Sequence, residues 1–214
     1  HQRAWAGSAV SEDRDALEIR RPDYLGCNAF VDHEIGRVLE AIDKHAPDAL
    51  VIYTSDHGDM MASHCLWNKG AVMYDEITNI PFLVRWPGHS PAAAVSSQLV
   101  SHIDLVPTAM EFFGLGAPKV LEGRSMLPVL HKPDTQVNDI VFMEFGRYEI
   151  DHDGFGGFQP IRACFDGHYK LVINLLTSDE LYDLKTDPGE MTNLIGSDQH
   201  AKARDRLLAW MNET

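Results

Sequence analysis

Asp56 and His57 stand side by side at the end of an apolar run, Val51-Ile52-Tyr53-Thr54, with Ser55 before them and Gly58 directly after. A carboxylate and an imidazole are donors suited to a divalent cation. Gly58 allows a turn sharp enough for both side chains to aim at one point. Two donors do not close a coordination sphere, so the others must come from elsewhere. His64 follows, a residue type that can protonate a leaving group or hydrogen-bond a substrate. Lys69-Gly70 adds a compact positive charge able to hold an anionic group. Taken singly, each has a plainer reading: Asp56 as a helix cap, His57 and His64 as satisfied loop histidines, Lys69 as a solvated cation. Their position beyond a strand is what favours chemistry, because open α/β sheets bind ligands past the carboxyl ends of their strands.

The elements that must position these residues are legible as hydrophobic patterns. Leu25, Ala29, Ile35, Val38, Leu39 and Ile42 recur near helical spacing, which predicts a helix over Tyr24–His45, ended by Pro47. Ala49–Thr54 reads as a short strand without alternation, so burial on both faces is expected, as in a parallel sheet. Pro81–Trp86 is a second strand, with Pro87-Gly88 turning the chain away. Asp104 is placed to cap a helix that has Pro107 in its first turn and stops at Gly114. Leu121–Leu130 reads as a loop. Beyond about residue 135 the pattern changes. Ile140–Phe145, Ile161–Phe165, His168–Asn174 and Glu180–Leu184 are expected strands, with Asp166-Gly167 as a hairpin turn. Ser197–Asn212 is an amphipathic helix with Leu207, Leu208 and Trp210 inward. The expected fold class is α/β. Residues 1–135 form part of a layered sheet with helices on both faces. Residues 136–214 form a small α+β subdomain with an antiparallel sheet and a terminal helix.

Composition narrows the function. A net charge of −14 over 214 residues argues against a nucleic-acid partner, which needs clustered Lys and Arg, and against a polybasic membrane-surface segment, while leaving room for a local basic pocket for an anion. Cys27, Cys65 and Cys164 lie too far apart for a CxxC site or a disulfide framework. No apolar run reaches the roughly 20 residues that span a bilayer. The compartment is open between cytoplasm, periplasm and secretion. The chain opens on His1, so an upstream portion is expected.

The joint pattern is far more specific than its parts. Ser55-Asp56-His57-Gly58, then His64-Cys65-Leu66-Trp67-Asn68-Lys69-Gly70, Tyr74-Asp75-Glu76 and Ile80–Gly88 closely resemble the sulfatase family of the alkaline phosphatase superfamily. Ser101–Thr108, Leu121–Pro128, Leu181-Tyr182-Asp183-Leu184, Asp187-Pro188-Gly189-Glu190 and Asn193-Leu194 continue the likeness, in family order, over roughly residues 24–195. The resemblance implies an alkaline-phosphatase-like fold and a metal-dependent sulfuric ester hydrolase of arylsulfatase type. It implies that Asp56 and His57 are metal ligands, usually for calcium, and that Lys69 contacts the sulfate oxygens. It makes His64 a candidate catalytic and substrate-binding residue. Asp104, Arg124 and Tyr182 fall at signature positions read as structural: a cap, a loop anchor and a packed aromatic.

One departure is large. Sulfatases carry a formylglycine nucleophile made from Cys or Ser in a Cys/Ser-x-Pro-x-Arg motif, and none of the three cysteines here has that context. The family's first aspartate pair is absent as well. The resemblance therefore implies the C-terminal half of a sulfatase, with the formylglycine in an N-terminal half of the same protein. That half is the expected partner, beside a small sulfate ester, and an oligomer is possible. Asp151-His152-Asp153 in a glycine-rich loop adds His152 as a substrate-binding candidate. Two other readings stand beside the first. One is a phosphodiester or phosphonate monoester hydrolase of the same superfamily. The other is a non-catalytic fragment acting in binding or assembly.

Overall fold

The computed structural model describes residues 14–66, 68–147 and 158–213. The Asp151–Gly157 loop, with His152, and Trp67 lie outside them. The chain divides into two compact units that meet in sequence at Gly88 and His89. The fold is mixed α/β.

In the first unit, helix α1 (Arg14–His45) starts earlier than its apolar periodicity predicts and carries Pro22 within it, at the loss of one backbone hydrogen bond. It stops before Pro47, as expected. Strands β1 (Val51–Thr54) and β2 (Phe82–Arg85) pair antiparallel, from Val51 opposite Arg85 to Thr54 opposite Phe82. This corrects the expectation of a parallel, doubly buried β1. Tyr53 and Leu83 face each other across the pair and are 43% and 58% exposed. The absence of polar residues from the run had concealed this one-sided pattern. Arg85 ties β2 to the last turn of α1 through Asp43, at 2.8 Å. The short helix α2 (Asp75–Thr78) lies between the strands in sequence.

In the second unit, helix α3 (Leu105–Phe112) ends at Gly114, which has φ +68°. The Leu115 N–H donates to the Met110 carbonyl and the Gly114 N–H to that of Glu111, the paired bonds of a Schellman motif. A short helix α4 (Leu127–His131) replaces the predicted loop, with Pro128 in its first turn, where a missing N–H costs nothing.

Asp104 is the knot of this unit. Its buried carboxylate accepts from the backbone N–H of Ser101 (2.9 Å) and of Arg124 (2.7 Å) and from Asn138 Nδ2 (2.9 Å). The side chain reaches back to Ser101 instead of capping α3. The loop after residue 120 can come this close because Gly123 has no side chain: a Cβ there would stand 2.0 Å from the Ile103 carbonyl oxygen.

Strands β3 (Val141–Arg147), β4 (Phe158–Phe165), β5 (Tyr169–Asn174) and β6 (Glu180–Asp183) form an antiparallel sheet in sequence order. The β4–β5 turn centres on Gly167-His168, one residue later than predicted. Gly167 has φ +85° and the Asp166 carboxylate accepts from the His168 and Tyr169 N–H groups. Helix α5 (Ala201–Glu213) packs Leu207 and Met211 onto Cys164, Leu171 and Leu181. Trp210 joins this core at its edge, whereas Leu208 faces outward, contrary to expectation. Helical geometry selects residues 203, 207 and 211 for the inner face, and 208 falls off it.

Candidate active site

Asp56 and His57 are held by local features of the chain. Past Thr54, Ser55 Oγ donates to the His57 carbonyl at 2.8 Å, and the His57 backbone N–H donates to Asp56 Oδ1 at 3.0 Å. Gly58 then passes against α2. A Cβ on Gly58 would stand 1.9 Å from the Glu76 carbonyl oxygen, and the Gly58 N–H donates to the Ile77 carbonyl at 3.0 Å. Only glycine permits that approach, and the approach fixes the direction in which Asp56 and His57 leave the strand.

Three groups converge. His57 Nε2 lies 3.4 Å from Asp56 Oδ2 and 2.8 Å from Lys69 Nζ. His57 Nδ1 is 2.8 Å from the Gly58 carbonyl oxygen. A carbonyl can only accept, so Nδ1 carries the ring proton and Nε2 presents its lone pair toward Lys69. Two donors of one cation, at about 2.4 Å and right angles, stand about 3.4 Å apart. The Asp56–His57 pair therefore has the spacing and chemistry of two cis ligands. Among the described residues no cluster of three His, Cys, Asp or Glu side chains could hold a metal. The Asp56 carboxyl lies below its usual range, chiefly because the His57 backbone N–H is aimed at it, with the His57 ring next and the Lys69 charge the smallest contribution. Asp56 is thus ionised at neutral pH, as a ligand must be.

His64 sits elsewhere on the loop. Its ring stacks on Tyr74, centroids 3.7 Å apart and planes 5° apart. Among the described residues no hydrogen bond joins His64 to the Asp56–His57–Lys69 group. Tyr74 was missed as a positioning residue, although it lies in one of the resemblance motifs. The loop itself is strained: Met61, Ala62, His64, Cys65 and Asn68 all have positive φ, at about 1 kcal/mol or more each. It is held by Met60 and Leu66, buried with Val72, and by backbone bonds from Met60 to Asn68 and from Ala62 to Leu66, both 2.9 Å. Strain of this kind concentrates where side chains must be presented in a set geometry.

The carboxyl-terminal signature is structural throughout. Tyr182 is buried. Asp183 Oδ1 accepts from His168 Nε2 (2.9 Å) and from the Lys185 and Thr186 N–H groups. Asn193 Oδ1 accepts from Leu181 N and Ile195 N. Glu190 forms a buried ion pair with Lys170 at 2.9 Å, a pair that sequence reasoning missed because Lys170 reads as an outward strand residue.

Comparison with known proteins establishes the family. A sequence model of the sulfatase family matches residues 5–115, and that of the N-sulphoglucosamine sulphohydrolase C-terminal region matches residues 62–214. The chain belongs to the sulfatase family. It is 44% identical to an uncharacterized sulfatase of Escherichia coli K12, over 100% of this chain and 42% of that protein. It is 30% identical to the N-acetylglucosamine-6-O-sulfatase of Bacteroides thetaiotaomicron, over 90% of this chain and 35% of the relative. A protein solved in complex with its substrate D-glucosamine-2-N,6-O-disulfate superimposes with a TM-score of 0.79 at 29% identity, over 89% of this chain and 39% of that one. The phosphonate monoester hydrolase of Agrobacterium radiobacter superimposes with a TM-score of 0.82 at 28% identity, over 97% of this chain and 44% of that one. The chain spans about two-fifths of the length of these relatives.

Proposed function

We propose that the protein is a metal-dependent sulfuric ester hydrolase and that this chain supplies part of its active site. The observation that carries the reading is the convergence of Asp56, His57 and Lys69 beyond β1, with His57 Nε2 at 3.4 Å from one and 2.8 Å from the other. Asp56 and His57 are the residues to hold a divalent cation, calcium in this reading, which when bound neutralises charge on the sulfuryl oxygens. Lys69 binds and orients those oxygens as charge builds on them in the transition state. His64, kept in one orientation by Tyr74, protonates the departing alkoxide. A formylglycine in an N-terminal half of the same protein completes the site. The substrate is a small sulfate ester, and His152 belongs to the loop assigned to substrate selection.

A second reading has a specific support. The Agrobacterium phosphonate monoester hydrolase matches this chain over 97% of its length, and a sulfate and a phosphonate present similar oxygens to a lysine and a cation. The two readings separate in a turnover assay on the enzyme assembled with its nucleophile-bearing half, using 4-nitrophenyl sulfate and 4-nitrophenyl phenylphosphonate. The sulfate ester is expected to have the higher kcat/KM. Preference for the phosphonate ester would replace the first reading with the second.

A further inference from the structure

Lys69 contacts His57 in the structure, and the proposed function gives the same ammonium the sulfuryl oxygens to bind. Its Nζ lies 2.8 Å from His57 Nε2, so it donates into the only lone pair that His57 has for a metal, because Nδ1–H is committed to the Gly58 carbonyl at 2.8 Å. Asp56 Oδ2 lies 3.4 Å from the same Nε2. The ammonium therefore faces the same lone pair that the His57 ring would offer a cation. An ammonium engaged with Nε2 has fewer donors for an anion, and one displaced from Nε2 has all three. Lys69 is exposed and its four-carbon stem is flexible, so it can swing aside, while Asp56 and His57 are held in place by Ser55, Gly58 and α2.

From this geometry we propose that Lys69 and the cation compete for His57 Nε2, so that cation binding releases Lys69 to the anionic substrate and the binding order is cation first, anion second. This rests on the metal-site reading above. It adds to Lys69 the role of a competitor that occupies the His57 lone pair until the cation takes it. The arrangement also bars a sulfate ester from binding to a site that lacks its cation.

The test is a nuclear magnetic resonance titration of the protein labelled with ¹⁵N, following the His57 imidazole and the lysine side-chain ammonium groups, with calcium chloride and with sodium sulfate as probes. Without calcium, one lysine ammonium resonance is expected to be slow to exchange and to disappear in Lys69→Met. Calcium is expected to shift His57 Nε2 and abolish that resonance, and sulfate is expected to perturb the Lys69 side chain only after calcium is present. In Lys69→Met the calcium affinity is expected to rise several-fold, as seen on His57 Nε2. Calcium shifts on His57 with the Lys69–His57 bond intact would overturn the competition and leave the metal-site reading standing. So would sulfate binding to Lys69 equally well without calcium. No calcium response at His57 in either wild type or Lys69→Met would overturn the metal-site reading and the competition together.

Discussion

Lys69, Asp56 and His57 carry most of the functional argument, and each makes a distinct claim. Lys69 is exposed, so its replacement does not open the core. Lys69→Ala is expected to lower kcat/KM for a sulfate ester by about 10²–10³-fold in the assembled enzyme, with the thermal midpoint unchanged, as read by steady-state kinetics beside a melting curve. Gly58 makes the opposite claim. Gly58→Ala places a Cβ against the Glu76 carbonyl, and such overpacking costs about 1–3 kcal/mol. Both the melting midpoint and the cation affinity are expected to fall, because the turn that aims Asp56 and His57 has to move. The metal-ligand residue types were legible in sequence because their spacing is local. Their mutual geometry was not, since it depends on α2 passing within touching distance of Gly58. His64 was legible as a residue type, whereas its partner Tyr74 was not, because a stacking contact leaves no periodic trace.

The elements of the second unit are held by buried polar groups that the hydrophobic pattern could not announce. Asp104 joins Ser101, Arg124 and Asn138 through one carboxylate. Hydrogen bonds to a charged group contribute about 1.5–3 kcal/mol each, so Asp104→Ala is expected to be among the most destabilising single changes, measurable by urea denaturation. The Lys170–Glu190 pair obeys a different rule. Removing one partner strands a buried charge, at a cost of about 3–5 kcal/mol, whereas removing both relieves it. The double variant Lys170→Met with Glu190→Gln is therefore expected to be more stable than either single variant. Asp183 gives the sheet a pH dependence. Burial raises its pKa, but the Thr186 and Lys185 N–H groups and His168 outweigh that, and the net displacement is downward. A depressed folded-state pKa contributes stability that is complete above the unfolded carboxyl value of about 4 and is lost as pH falls below it. Asp183→Asn is expected to flatten the acid limb of stability as pH falls below about 4. The sheet's four strands and its antiparallel character were readable from alternation and turn residues, with β4 beginning three residues before the expected Ile161. Helix α4 was not, because a five-residue helix is too short to show a period.

At the scale of the whole molecule, the described part is the carboxyl-terminal portion of a sulfatase scaffold, and its exposed apolar residues fit that description. Tyr53 and Leu83 on the β1–β2 pair, and Tyr24, Leu25, Phe30 and Val31 on α1, are uncovered. In the proposed enzyme these faces meet the N-terminal half that brings the nucleophile. The family was legible in sequence because its motifs are spread over most of the chain in a fixed order. The exposed β1–β2 face was not, because the run Val51–Thr54 has the composition of a buried strand whether or not a neighbour covers it. Among the described residues no helix is long and apolar enough to cross a membrane. The 214-residue chain alone is expected to give no turnover of sulfate esters, and co-expression with a formylglycine-bearing N-terminal half is expected to produce it. The most direct measurement of the central claim is hydrolysis of 4-nitrophenyl sulfate by that assembled enzyme, compared with the same enzyme carrying Asp56→Ala and with the wild type after chelation of divalent cations. The account expects turnover in the wild type and its loss in both other samples, with calcium restoring the chelated enzyme and failing to restore Asp56→Ala. Equal turnover in all three would contradict the assignment of Asp56 and His57 to a metal and, with it, the reading of this strand end as a sulfatase active site.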